Sequence, residues 1–346
     1  MDISDFDFHL PEELIAQTPT EKRDASRLMV VNRITGKIEH MMFPHITEFL
    51  TDRPLLVFNN TRVLPAKLEG HRTDNGKPVE WLLARKVESG SWLVLTRGLS
   101  KLKPGQTFRF GNGLSAVFEG VEEAMAQVRF SSEELLKTTL NQIGRMPLPH
   151  YIKRSGGLGE KMDSLDRERY QTVFAEEAGA IAAPTAGLHF TPELMSLLKE
   201  KAELSFLTLH VGPGTFQPLR TNKVVEHQMK EEFYRIPSST WNQIHQARAE
   251  GRPVFAVGTT STRVLESVNF DTATEKDVEG WTNRFLYPGQ IFRNVDRLLT
   301  NFHLPRSTLY LLVCAFAGKP LMDQAYREAI TRKYRFFSYG DAMLIL

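Results

Sequence analysis

Four short stretches of this 346-residue chain combine side chains that move protons with side chains that hold anions: PTAGLHF (184–190), HVGPGTFQP (210–218), GTTSTR (258–263) and NFHLPRST (301–308). Three of them bring a histidine close to a phenylalanine, His189 with Phe190, His210 with Phe216 and His303 with Phe302, and all four contain threonine. Imidazole titrates near neutral pH and suits a general acid or base. Threonine hydroxyls such as those of Thr185 and Thr259 suit a carboxylate, ribose hydroxyls or a phosphodiester equally well. Taken singly, each histidine reads as a buried, hydrogen-bonded ring shaping a turn, but three at equivalent places favour a chemical role for at least one. The phenylalanines read as core residues or as faces for a cationic ligand, an interaction of about 0.5–2 kcal/mol.

Other polar positions carry two readings. Arg263, one turn into its helix, either pairs an anion in bidentate fashion or bridges to Glu266. Asn60 and Arg62, with Asn59, end an apolar strand and are turn-forming groups or ligand contacts. Asp341, between Gly340 and an apolar run, is a turn acceptor or a buried base whose pKa enclosure would raise. Glu231 and Glu232 near His227 read as a solvated charge run, and Lys153, Arg154, Arg167 and Arg169, interleaved with Tyr151 and Tyr170, as a solvated face or a nucleic-acid contact. No HExxH and no histidine pair at helical spacing occurs, so no metal site is expected. The single cysteine, Cys314, lies in LYLLVCAF; it excludes an internal disulfide and a thiolate-held cluster and reads as a buried thiol.

These residues need a scaffold that converges them. From Ala66 to about Arg145 six short alternating runs (KLEGHR, VEWLLARKV, SWLVLTRG, QTFRFG, LSAVFEGV, AQVRFS) are separated by turn pairs such as Asn75-Gly76 and Pro104-Gly105, the pattern of an antiparallel meander closing as a small barrel or sandwich. The segment from Arg154 to Arg169 is glycine-rich and charged and is expected to be a mobile surface loop. Beyond it strands and helices alternate. AGAIAA reads as a buried strand, Thr191-Pro192-Glu193 as a helix start, LSFLTLHV as the next strand, SSTWNQIHQARAEG as a helix ended by Gly251, PVFAVG as a strand and TTSTRVLESV as a helix. The fold class expected is therefore α/β: a large domain with a mainly parallel, open-barrel-like sheet, residues 1–65 and 149–346, carrying a small inserted antiparallel β-barrel domain, residues 66–148. In such sheets ligands collect outside the carboxyl ends of the strands, where the four stretches fall.

Bulk properties bound the function. Hydrophobic residues make up 41% and charged residues 24%, ordinary for a globular chain, and no apolar run reaches the roughly 18 residues of a membrane span. The acidic start MDISDFDFHL lacks the apolar core of a secretory signal, so the expected compartment is the cytoplasm. With 43 Lys plus Arg against 41 Asp plus Glu, the net charge of +2 announces no polyanionic partner, although a local basic face remains open. Neither a GxGxxG nor a Walker sequence is present.

Several segments in order carry a family resemblance: LPEELIAQTPTEKRDASRLMV, LLVFNNTRVLPAKL, MPLPHYIKR, DRERYQTVFA, APTAGLHFTPEL, TLHVGPGTFQPL, AVGTTSTRVLES, TNFHLPRSTLYLLVCAFAG and YRFFSYGDAMLI. Together they resemble the S-adenosylmethionine:tRNA ribosyltransferase-isomerase family of queuosine biosynthesis from about Leu10 to Leu346, departing at Pro213, where alanine is the expected residue. The resemblance implies that S-adenosylmethionine is a consumed substrate rather than a cofactor. Its ribosyl unit would move onto the 7-aminomethyl-7-deazaguanine base at the tRNA wobble position and rearrange to an epoxycyclopentane, releasing adenine and methionine. It also implies tRNA as partner and the same two-domain plan; nothing in the sequence demands an oligomer, and a monomer is the expectation. For that chemistry His189, His210 and His303 are expected to include the base and the acid. Thr185, Thr259 and Arg263 would hold the methionine carboxylate or ribose, and a phenylalanine would face the sulfonium.

Overall fold

A computed structural model describes residues 1–154, 159–212, 219 and 221–346. The chain opens with short helical turns and then forms β1 (Arg27–Val31), β2 (Ile38–Met42), β3 (Leu55–Asn59) and β4 (Thr61–Val63). Strands β5 (Lys67–Arg72), β6 (Pro78–Lys86), β7 (Trp92–Thr96), β8 (Thr107–Phe110), β9 (Ser115–Glu122) and β10 (Met125–Phe130) follow, then α1 (Glu133–Ile143) and α2 (Gly159–Arg169). The remainder runs β11 (Glu177–Ala180), α3 (Pro192–Lys201), β12 (Glu203–Leu209), β13 (Glu232–Ile236), α4 (Ser238–Ala249), β14 (Val254–Val257), α5 (Thr259–Leu265), β15 (Val278–Thr282), β16 (Arg297–Asn301), α6 (Thr308–Ala317), α7 (Lys319–Thr331) and β17 (Ala342–Ile345).

Among the described residues nine strands form one open sheet in the order β15-β13-β12-β3-β14-β16-β17-β1-β2. Its centre is parallel, β12 with β3, β3 with β14 and β14 with β16, and β17 runs parallel to β1. The edges turn antiparallel, as does β16 with β17, because two successive helices, α6 and α7, return the chain between them. Central strands are continuous apolar runs since both faces are covered. Along β3, Leu55 and Val57 face one core while Leu56 and Phe58 face the other, and Met29 and Val31 of β1 alternate with Leu28 and Val30 in the same way. The expected α/β architecture is thus the observed one.

The six predicted barrel runs are the six strands of a closed antiparallel barrel, ordered β10-β7-β6-β5-β8-β9. Its interior packs Trp81 against Phe108 and Phe110 at ring separations of 4.7 and 4.9 Å. Helix α1, capped by Ser132 accepting from the Leu135 amide, was not anticipated from the sequence. The anticipated start of α3 is present: Thr191 accepts from the Leu194 amide and Pro192 holds the first turn.

Two expectations are corrected. AGAIAA does not join the main sheet as half of a βαβ unit; β11 pairs in parallel with β4 in a separate two-stranded sheet, and β12 instead lies beside β3. Of the segment expected to be a mobile loop, residues 155–158 lie outside the described residues, whereas Gly159–Arg169 is helix. That helix is tied down by tertiary contacts: Arg154 grips buried Asp166 with two bonds of 2.8 Å, Tyr339 donates to the same carboxylate at 3.0 Å, and Arg169 donates to the Glu21 carbonyl. Of the basic residues read as a solvated face or a nucleic-acid contact, Arg154, Arg167 and Arg169 bond within the protein, Arg167 to the Gly144 and Asn141 carbonyls, whereas Lys153 is exposed and pairs at the surface with Glu12.

Candidate active site

A cavity of about 650 Å³ lies at the carboxyl ends of the parallel strands β14 and β16, where crossover loops meet. Its wall includes Thr185, Thr259 and His303, delivered by three of the four stretches singled out in the sequence. Gly258 makes the sharp step from β14 into α5 at φ 92°, ψ 152°, a conformation open essentially to glycine alone, and so sets Thr259 and Thr260 at the cavity edge. The Thr260 hydroxyl is buried without a hydrogen-bond partner, a donor an occupant of the cavity could satisfy.

His303 is buried, its Nε2 2.8 Å from the Thr300 hydroxyl and its amide donating to the Tyr326 hydroxyl. Burial pushes its pKa down to about 3, so the ring is neutral at physiological pH. His189 does not reach the cavity wall. Its ring stacks on Phe43 at 4.9 Å, with Nδ1 2.8 Å from the Ser26 hydroxyl and Nε2 3.4 Å from the Asn301 amide oxygen. Asn301 does line the cavity, so His189 acts on it at one remove. Burial also lowers the His189 pKa, to about 4, although the Asp341 carboxylate opposes the shift.

His210 faces a second cavity, of about 860 Å³, between the barrel and the edge of the main sheet. Its Nδ1 sits 2.8 Å from the Thr61 hydroxyl and its ring stacks on Phe233. Burial holds its pKa below the ordinary value, with Glu177 opposing. The two cavities adjoin: Val211 lines both, and Ile181 of the second precedes Ala182 of the first.

The remaining candidates hold the frame. Asn60 accepts from Thr208 at 2.7 Å and its backbone carbonyl receives the Glu176 amide, while Arg62 is exposed and donates to the Ala175 carbonyl. Phe190 is fully buried among Phe43 and Phe58. Arg263 forms a buried ion pair with Glu232, which is not part of a solvated run; Glu266 instead accepts three backbone amides, from Arg293, Asn294 and Val295. Asp341 is the turn acceptor of the two readings, taking the Arg27 and Arg335 amides and pairing with the Arg27 guanidinium at 2.9 Å. Phe216 lies outside the described residues.

Sequence reasoning overlooked the aromatic side of the first cavity. Tyr151 and Phe337 line it with ring centroids 4.2 Å apart, and Tyr151 hydroxyl meets Ser338 at 2.7 Å. Phe337 has φ 72°, unusual for a bulky residue, and is held there by its amide donating to the Phe302 carbonyl and its carbonyl receiving Asn301. Both residues fall in segments that carried the family resemblance, which was the available signal. Among the described residues, no group of three or more His, Cys, Asp or Glu is placed to hold a metal ion, and no helix is long and apolar enough to cross a membrane.

Fold and site define an α/β protein that carries a closed β-barrel and keeps a hydroxyl- and imidazole-lined cavity at its strand ends. The profile of the family described as "Queuosine biosynthesis protein" matches residues 3–345. Among solved structures, the chain is similar to the S-adenosylmethionine tRNA ribosyltransferase from Thermotoga maritima, with 38% identity, 99% of each chain covered and a TM-score of 0.55. The chain belongs to the queuosine biosynthesis protein family.

Proposed function

We propose that this protein transfers the ribosyl unit of S-adenosylmethionine to the 7-aminomethyl-7-deazaguanine base at the tRNA wobble position and isomerises it to an epoxycyclopentane. The products are epoxyqueuosine-tRNA, adenine and methionine. The observation that carries the reading is the meeting of Thr185, Thr259 and His303 on one cavity in a chain 38% identical to a named S-adenosylmethionine tRNA ribosyltransferase. About 650 Å³ suits a ligand of that size.

A sulfonium acidifies the adjoining 5′ carbon, so the reaction needs a base there, a proton donor for adenine and a neutral attacking amine. Of the three histidines, His210 is assigned as the base on its place in the second cavity beside Val211, the wall shared with the first; burial lowers its pKa and Glu177 opposes that shift. His303, with a pKa near 3, serves better as a fixed neutral hydrogen-bonding group than as a proton acceptor, and His189 orients Asn301. Thr185, Thr259 and Thr260 hold the carboxylate or ribose, and the Tyr151 and Phe337 rings face the sulfonium. Asn60, Phe190, Arg263 and Asp341 hold the surrounding buried frame, and exposed Arg62 braces the Ala175 carbonyl. On this reading residues 66–148 form a separate barrel domain, the compartment is the cytoplasm, and one copy of the chain suffices.

Incubation with S-adenosylmethionine and tRNA carrying the aminomethyl base tests this. Free adenine and methionine in equal amounts are expected. S-adenosylhomocysteine would mean methyl transfer instead, and no small-molecule product would mean a binding protein.

A further inference from the structure

We propose that the second cavity, between the barrel and the edge of the main sheet, seats an unpaired RNA base whose ring stacks on Trp281. The inference rests on the functional reading above and assigns each substrate its own compartment. Trp281 stands on edge strand β15 with 58% of its surface exposed, an indole left in water at a cavity mouth. It meets Phe233 edge-on at 5.7 Å, and Phe233 in turn stacks on His210 at 5.8 Å with an interplanar angle of 24°. Three aromatic rings thus run from solvent inward to the imidazole. Such a ladder suits flat unpaired bases, since every base has a π face and single-stranded nucleic acid is held by stacking beside a cationic groove.

The surroundings favour a base over a purely anionic ligand. Lys230 at the mouth is exposed, with no side-chain partner among the described residues, and can meet one flanking phosphate. Arg85 and Lys86 are already paired, with Glu123 and Glu133. Glu231, exposed beside Lys230, and Glu232 line the same cavity, so charge is nearly balanced there, leaving stacking as the dominant recognition. At the inner end, Gly179 lines the same cavity, and a Cβ at that position would lie 2.6 Å from His210 Nε2. Only glycine leaves that ring edge uncovered. Because Val211 forms a wall of both cavities, a base seated here lies next to whatever occupies the first, as transfer between the two substrates requires.

The test is equilibrium binding, without turnover, of a synthetic anticodon-arm hairpin with guanine at the wobble position, alongside separate titration with S-adenosylmethionine. Trp281→Ala, a substitution at an exposed edge position, is expected to weaken hairpin binding roughly 10- to 100-fold and leave S-adenosylmethionine affinity unchanged, with Trp281→Phe retaining most of it. Lys230→Ala is expected to lower the salt slope of hairpin binding by about one ion, while Trp281→Ala leaves that slope intact. Hairpin binding unaltered in Trp281→Ala, or an equal loss of S-adenosylmethionine affinity, overturns the assignment while the functional reading stands. A wild-type protein that ignores the hairpin likewise overturns the assignment, while release of adenine and methionine with tRNA carrying the aminomethyl base decides the functional reading separately.

Discussion

Lowering the pH from 7 to 5 is expected to remove about 4 kcal/mol of stability through His189 and His303 alone. In the unfolded chain each ring takes a proton near its ordinary pKa of about 6.5. In the folded protein burial delays that to about 4 for His189 and about 3 for His303. The unfolded state therefore binds more protons below about pH 6.5, and stability falls with pH until the folded rings titrate in turn. At pH 5 the imbalance is nearly one proton per ring, worth roughly 2 kcal/mol each relative to pH 7. Most carboxylates titrate lower and contribute little in this window. Urea unfolding at pH 7, 6 and 5 measures the loss, and His303→Asn and His189→Asn isolate each ring. Either variant is expected to be less stable than wild type at pH 7, yet its loss between pH 7 and 5 should be smaller by about 2 kcal/mol. A loss identical to that of wild type in both variants would refute the claim that these imidazoles are kept neutral by burial.

Arg263→Met should lower stability by about 3–5 kcal/mol, read as a shifted urea midpoint, because it removes the buried guanidinium that pairs with the buried Glu232 carboxylate; adding Glu232→Gln should recover part of the loss. Gly258→Ala forces a side chain into a glycine-only conformation and is expected to cost about 1–3 kcal/mol, with a raised KM for S-adenosylmethionine as Thr259 shifts. His210→Ala should reduce kcat by roughly 100-fold or more in single-turnover assays while S-adenosylmethionine still binds.

Local signals carried the architecture further than the site. Period-two runs between glycine turns marked all six barrel strands, because hairpins are set by neighbours in sequence. Thr259 and His303 could be grouped because the adjacent parallel strands β14 and β16 deliver their following loops to one end of a sheet, whereas Thr185 reaches the same cavity from the separate β4–β11 pair. What stayed hidden depends on partners distant in the chain. Nothing near His189 announces that its ring turns toward Ser26 and Phe43, and Glu232 is 31 residues from the Arg263 it neutralises. The parallel pairing of β17 with β1 joins the two ends of the chain. Helix Gly159–Arg169 has almost no amphipathic pattern and owes its form to Arg154, Tyr339 and nearby carbonyls, so its composition read as loop. Tyr151 and Phe337, far apart in sequence, become a shared wall only in the folded protein.

The transfer itself is tested most directly with S-adenosylmethionine carrying carbon-13 throughout its ribosyl unit and tRNA bearing the aminomethyl base. After digestion to nucleosides, mass spectrometry should find the complete ribosyl label on the wobble nucleoside, with adenine and methionine unlabelled in solution. Label confined to a nucleoside by-product, with the wobble base unchanged or gaining only a methyl group, would contradict the account.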